Sequence, residues 1–447
     1  MKSLLGKLDA RVAVELHGFK PGRTLLYFQS SALSQDRQLY EQGNISVKKI
    51  VDELLILADK ALRYGPWSVM DKPDHSIAAS GDKHDYFHLS PYYWPPSKEA
   101  AKNPTSVWKR RDGKRYPGTN MHEPGSNNFD RTRLSDMQYN TTILSLAYFM
   151  TGKEEYAQVA ARNIRTWFLA PESRMNPHMN YAQVVNGKNS NLGQSFGIIE
   201  TKDFYFFLDA VHLIEEGNVF LNKTESSNLR SWFREYLNWL ETSTLGKQEY
   251  TTNNNHGLFY DIQATSIASF TNDTAKMIRY IESSTSRMSS QIANNGAMIE
   301  ELRRPTCEHY QMFTLQGWST LARIARSVNR DLWLRNNRLL CNATRFTIPF
   351  LKKRNICKSK VNQSDVNVER WLPLLLDAEY QCPELRKQNI WPEWFPTLDQ
   401  VQPPLIAYDM PIMFNTHDGV APFWNLGLDR ANYTLSSFTK TVPHKEK

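Results

Sequence analysis

Two short segments carry side chains whose types suit one demanding reaction. They are Thr-Thr-Asn-Asn-Asn-His-Gly at 251–257 and Glu-Leu-Arg-Arg-Pro-Thr-Cys-Glu-His-Tyr at 301–310. Together they offer an amide (Asn255), an imidazole (His256), a guanidinium (Arg304) and a phenol (Tyr310). A carbon-bound proton beside a carboxylate is barely acidic, because its removal leaves a dianionic enolate. Asn, His and Arg can hydrogen-bond that carboxylate and stabilise the enolate. A tyrosine whose pKa is lowered can take the proton and return it to a leaving oxygen. The chemistry is β-elimination on a uronic-acid polymer.

The elements that must position these groups follow from the neighbouring residues. Asn is poor inside helices and good at their N-caps, so Asn253-Asn254-Asn255 predicts the start of the helix that carries Gly257–Phe270. A helix N-terminus favours an anion, which would place Asn255 and His256 toward a substrate carboxylate. A lone histidine is more often a cap or a core residue; the asparagine run shifts that balance. Pro305 breaks regular structure, which predicts a loop before a helix at 311–328, with Arg303 and Arg304 equally open as the cation. His309 either supports Tyr310 or packs, and Glu300 and Glu301 either orient an arginine or cap a helix.

Further helices are expected at 47–64, 137–151, 153–168, 202–216, 227–241, 258–271, 274–294 and 331–350. The segment 202–216 places Phe204, Phe207, Leu208, Val211 and Ile214 on one face, and 227–241 does so with Leu229, Trp232, Phe233, Tyr236 and Leu240. Successive helical hairpins with short links predict an all-α toroid or solenoid over 47–400. Residues 1–46 stay unassigned and 401–447 read as a tail. Two long segments, 73–135 and 170–200, are rich in Pro, Gly and aromatics, and long ordered loops of this kind wall binding grooves. From them Lys83, His84, Tyr86, Trp94, Asn180 and Gln183 are the candidates to contact substrate, against the plainer reading that each packs or caps.

The chain has 447 residues and a formal net charge of +8. A basic surface attracts polyanions, yet the sequence holds no zinc-finger spacing and no RNA-binding aromatic motif, so nucleic acid is not the expected partner. No apolar stretch approaches the ~20 residues that span a bilayer. The four cysteines, Cys307, Cys341, Cys357 and Cys382, form no CxxC pair, and no carboxylate cluster reads as a metal site, so neither metal nor cofactor is expected. Seven Asn-x-Ser/Thr sequons, at Asn44, Asn140, Asn222, Asn272, Asn342, Asn362 and Asn432, favour a secreted glycoprotein. One or two disulfides among Cys341, Cys357 and Cys382 fit that route, with Cys307 left as a free thiol. The first residues lack the apolar run of a signal peptide, so either the true start lies upstream, or export is unconventional, or the protein is intracellular.

The set of motifs resembles the alginate lyase family of polysaccharide lyases. The resemblance rests on Ser-Gly-Asp-Lys-His-Asp-Tyr at 80–86, Ser-Pro-Tyr-Tyr-Trp-Pro at 90–95 and Arg-Arg-Asp-Gly-Lys at 110–114. It continues with Asn-Tyr-Ala-Gln at 180–183, Gly-Ile-Ile-Glu-Thr at 197–201, Asn-Asn-His-Gly at 254–257 and Glu-Leu-Arg-Arg at 301–304 before Tyr310. It implies an (α/α) toroid with a deep groove, no metal, and a monomer acting on an anionic polysaccharide. It implies that Asn255, His256 and Arg304 neutralise a uronate carboxylate, and that Tyr310 is the base, and the acid too where elimination is syn. The chain departs from the family at Pro305-Thr306-Cys307, where small or polar residues are usual. Relatives act on mannuronate-rich alginate, and similar folds cut glucuronan. Two rivals remain: a glycoside hydrolase on a helical toroid, which needs two facing carboxylates, and a non-catalytic polyuronate-binding protein.

Overall fold

Helices that are apolar on one stripe can pack only once, whereas helices buried all round must stand in the middle of a stack. Both kinds occur here. In the computed structural model, which describes residues 25–103, 105–352, 372–386 and 419–427, four helices are buried around most of their circumference. They are α3 (Asp130–Thr151), α5 (Phe204–Glu215), α8 (Asn255–Phe270) and α11 (Cys307–Arg326). These form an inner row in which α3 touches α5, α5 touches α8 and α8 touches α11. Outside them lie α2 (Ile45–Ala61) and α4 (Glu154–Ile164) against α3, α6 (Lys223–Thr242) and α9 (Thr274–Gln291) against α8, and α12 (Leu339–Lys352) and α13 (Leu372–Gln381) against α11. The result is an all-α toroid of inner and outer helices, as the helical pattern predicted.

The outer helix α6 shows the local logic. Asn222 caps it, accepting from the Glu225 amide while Glu225 accepts from the Asn222 amide, a capping box. Its inward face brings Leu229, Trp232, Phe233, Tyr236 and Leu240 to the core. There Trp232 and Phe233 meet Phe168 and Phe204 with ring centroids 4.8–6.4 Å apart, the edge-on and tilted geometries aromatic quadrupoles favour.

Several expectations shift. The helix expected at 331–350 begins only at Leu339, because Asn336, Asn337 and Arg338 take left-handed φ of 49°, 53° and 60° and cannot continue a helix. The expected 311–328 helix starts at Cys307, so Tyr310 lies in its first turn rather than in a loop. A helix unforeseen in the unassigned N-terminal segment, α1 (Ser30–Glu41), is preceded by a strap whose Leu26, Tyr27 and Phe28 amides donate to the buried Asp209 carboxylate of α5, at 2.7–3.0 Å. Residues 419–427 of the expected tail lie beside it: Gln29 donates to the Gly427 carbonyl, and the Gly427 amide donates to Asp36. Cys341 and Cys382 form a disulfide 41 residues apart. Cys307, expected to be free, is itself disulfide-bonded, while Cys357 lies outside the described residues. The Asn140 sequon is fully buried on α3, with its amide donating to the Asp136 carbonyl, and so is closed to glycosylation in the folded chain.

The loops 73–128 and 170–200 fold over one end of the inner row. Within them a two-residue hairpin, β1 (Tyr93–Trp94) and β2 (Lys109–Arg110), pairs antiparallel with Tyr93 opposite Arg110. A bridge between Leu89 and Val184 ties the two loops together.

Candidate active site

Asn254 caps α8, its side chain accepting from the His256 amide at 3.0 Å, so the helix begins at Asn255. Thr306 precedes α11, and Pro305 just ahead of it closes the chain against further helix on the N-terminal side. These two helix starts face one cavity of about 250 Å³. Asn255, His256, Arg304, Tyr310 and Gln183 all line it.

Tyr310 is the most constrained of them. Its hydroxyl accepts from Arg304 Nη2 at 2.8 Å and lies 3.1 Å from the Tyr92 hydroxyl. The Arg304 guanidinium also stands over the ring, 3.7 Å from its centroid. Burial pushes the Tyr310 phenol well above the ordinary tyrosine range; Tyr92 adds to the rise, while Arg304 and Arg115 oppose it. This corrects the expectation of a lowered pKa. The resting site holds a neutral phenol, poised beside the cation that would stabilise its anion.

Arg304 is fixed from a loop 192 residues away. Asp112 accepts from Nε at 2.9 Å and from Nη2 at 2.8 Å, a bidentate clamp that leaves Nη1 for a ligand. Although burial opposes it, the Arg304 bonds and charge hold the Asp112 carboxyl below its usual range. Gly113, at φ +76°, makes the turn that carries Asp112, and a β-carbon there would rest 3.4 Å from Pro305. Pro305 thus packs on the clamp instead of displacing Arg304. The two arginines are placed differently: Arg304 lines the cavity, whereas Arg303 points to solvent, its side chain 68% exposed and paired with Glu300.

His256 turns Nδ1 to Glu249 at 2.8 Å, a carboxylate only 1% exposed, which leaves Nε2 for the cavity. Arg287 binds Asp261 of α8 and the carbonyls of Tyr250 and Thr252, fastening the approach to this turn. It passes so close that a β-carbon at Gly257 would collide with Arg287 and the Thr252 carbonyl, which is why glycine follows His256. Asn255 donates its backbone N–H and its Nδ2 to Glu301, at 2.6 and 3.0 Å. His309 is buried, stacked on Phe313 and edge-on to Tyr310.

The structure places the remaining candidates elsewhere, and in each case the polar atom has a protein partner. Tyr86 is fully buried and donates to Glu200. Lys83 pairs with Asp74, and His84 Nδ1 meets the Arg174 carbonyl at 2.6 Å. Trp94 donates to the Lys114 carbonyl beneath Arg111, and Asn180 accepts from Trp239. None of these five lines the cavity. Groups that sequence reasoning passed over do line it. Arg110, Arg115, Arg131 and Lys202 join Arg304, giving, among the described residues, five cationic side chains against one acid, Glu249. Arg110 stood in view within the 110–114 motif; Arg131 and Lys202 carried no local signal.

The family model for alginate lyase matches residues 68–356. The chain belongs to the alginate lyase family. This alginate lyase family member is thereby a polysaccharide lyase. A crystal structure of an alginate lyase from Bacteroides ovatus is 30% identical, covers 82% of this chain and 94% of its own, and superposes with a TM-score of 0.74. Alginate lyase A1-III from Sphingomonas species A1 is 15% identical over 78% of this chain and 87% of its own, with a TM-score of 0.50, a likeness of fold. Among curated protein sequences, none matches this chain.

Proposed function

We propose that this lyase cleaves a 1,4-linked polyuronate, mannuronate-rich alginate or glucuronan, by β-elimination. The observation that carries the reading is the convergence of Asn255, His256, Arg304 and Tyr310 on one cation-lined cavity. The substrate carboxylate would bridge Arg304 Nη1 and His256 Nε2, and the positive ends of α8 and α11 would add to their field. Tyr310 first gives up its own proton to solvent, and the resulting phenolate, held by Arg304 Nη2, takes the C5 proton; the C–H electrons form the C4–C5 double bond as the C4–O bond breaks. In syn elimination the same hydroxyl then returns the proton to the departing oxygen. The product is a 4,5-unsaturated uronate at the new non-reducing end. A hydrolase would need two facing carboxylates, whereas Glu249 is the one acid among the described lining residues and is bonded to His256.

The disulfides at Cys341–Cys382 and at Cys307 support action in an oxidising compartment, outside the cell. The test is ultraviolet absorbance over time with polymannuronate, polyguluronate, glucuronan and a neutral glucan. A rise with one polyuronate establishes the elimination and names the polymer. Growth of reducing ends without absorbance identifies a hydrolase. Salt-sensitive binding with neither signal identifies a binding protein.

A further inference from the structure

In the free site Asn255 directs its donor group at Glu301 and leaves its acceptor without a partner. An anion needs donors, and the amide has only one donor group, Nδ2. Both oxygens of Glu301 receive it, each at 3.0 Å. The other amide atom, Oδ1, is buried with no hydrogen-bond partner. It is an acceptor, and its lone pairs would repel a uronate carboxylate. Glu301 is 2% exposed, and the bonds recorded to its carboxyl all come from Asn255. Among the described residues no cation is bonded to it; Arg304 on its own segment and His256 on α8 are the charged groups that face it.

We propose that Glu301 is a positioning residue that acts as a neutral acid, its O–H donating to Asn255 Oδ1 and so turning Nδ2 toward the substrate carboxylate. In that arrangement Glu301 Oε1 still accepts the Asn255 backbone N–H, Oε2 carries the proton, and the orphaned Oδ1 gains a partner. Nδ2 becomes a third donor to the enolate, beside Arg304 and His256. Burial already pushes the Glu301 carboxyl above the ordinary glutamate range, against the Asn255 bonds and the Arg304 and His256 charges. A substrate carboxylate arriving nearby raises it further.

This rests on the elimination proposed above, and the experiment separates the two. Glu301→Gln keeps the shape and places an N–H where the proposed proton sits. It is expected to retain kcat within about tenfold, with KM little changed. Glu301→Ala leaves the Asn255 amide without its anchor and is expected to lower kcat about 10²-fold or more, the scale of one oxyanion donor. Asn255→Ala should do the same, and Glu301→Ala/Asn255→Ala should be no worse than Asn255→Ala alone. Thermal unfolding confirms that each variant is folded. Folded Glu301→Gln falling as far as Glu301→Ala would show that the charged carboxylate is needed and overturn the proposal. A further loss when Glu301→Ala is added to Asn255→Ala would do so too, by showing that Glu301 acts other than through Asn255. Absence of unsaturated product from the unaltered protein on every polyuronate would instead overturn the elimination.

Discussion

Tyr310→Phe is the substitution that isolates the proton transfer from everything else the tyrosine does. The ring is 8% exposed and lies under the Arg304 guanidinium, contacts that phenylalanine keeps. Arg304 Nη2 loses one acceptor but still binds Asp112 at 2.8 Å, so the arginine stays in place. The structural cost is two hydrogen bonds, to Arg304 and to Tyr92, about 2–4 kcal/mol of stability. The chemical cost is the whole general acid–base contribution, about 10²–10⁴-fold in kcat, or about 3–5 kcal/mol at ~1.4 kcal/mol per tenfold. Initial rates from ultraviolet absorbance on the preferred polyuronate give kcat and KM, and circular dichroism checks the fold. The pH profile adds a sign. The phenol sits above its ordinary value, so the phenolate is scarce at neutral pH and grows tenfold per unit as pH rises. kcat/KM, which reports the free enzyme, should therefore climb through about pH 7–9 without levelling, and the residual rate of Tyr310→Phe should lack that limb. A folded Tyr310→Phe within tenfold of the unaltered enzyme removes Tyr310 from the proton transfer. A plateau setting in near the ordinary histidine pKa of about 6.5 would move the base to His256.

Asp112→Asn loses one of the two carboxylate oxygens that clamp Arg304, and a misplacement of about 1 Å at a reacting centre costs roughly 10²-fold. We expect kcat/KM to fall by about that factor with little change in melting temperature, measured by the same absorbance assay. Gly257→Ala forces its methyl into Arg287 and the Thr252 carbonyl; overpacking costs about 1–3 kcal/mol, and denaturant unfolding should show it together with lost activity as His256 shifts. Raising salt from about 0.05 to about 0.5 M shortens the Debye length severalfold, so KM should rise severalfold while kcat changes little; a KM indifferent to salt would deny the cationic cavity a role in holding substrate. Replacing Cys341 and Cys382 by alanine opens a loop of 41 residues, worth about 4 kcal/mol on the chain-entropy account, readable as a lowered denaturant midpoint.

The outer helices were the most legible part of the fold. α6 shows one apolar stripe, and most of its polar residues, Ser226 and Arg230 apart, face water, so the 3.6-residue period marks it directly. Inner helices blur that period because small polar residues are buried among the apolar ones: Thr265 and Ser266 of α8 and Thr314 and Gln316 of α11 are all enclosed. Their ends were clearer than their faces. α1 went unseen because its sequence is mostly polar, and its place depends on contacts made far along the chain, with Asp209 anchoring the strap ahead of it. Tyr86 was misplaced for the same kind of reason. Its hydroxyl and Glu200 are separated by 114 residues, and nothing local distinguishes a loop tyrosine facing a groove from one facing the layer below it.

The site was legible where residue type alone names a function, and illegible where function lies in a relation. Asn255, His256 and Tyr310 stand within the first turns of two helices, and asparagine caps and a proline announce such starts in any sequence. That the two starts meet could be read only from structure. So could the partners: Asp112 on Arg304, Glu249 on His256 and Glu301 on Asn255 are all carboxylates, each holding one member of the set. This arrangement explains a cavity whose described lining has five cationic side chains and a single acid. Asp112 and Glu301 hold their donors from outside the lining, while Glu249 stands at the wall with an oxygen on His256 Nδ1. A hydrolase would place its carboxylates in front, at the scissile bond. The side of the donor on which the acids lie is therefore a physical distinction between the two chemistries: here Asp112 and Glu301 lie behind, and the lining acid Glu249 is engaged by His256.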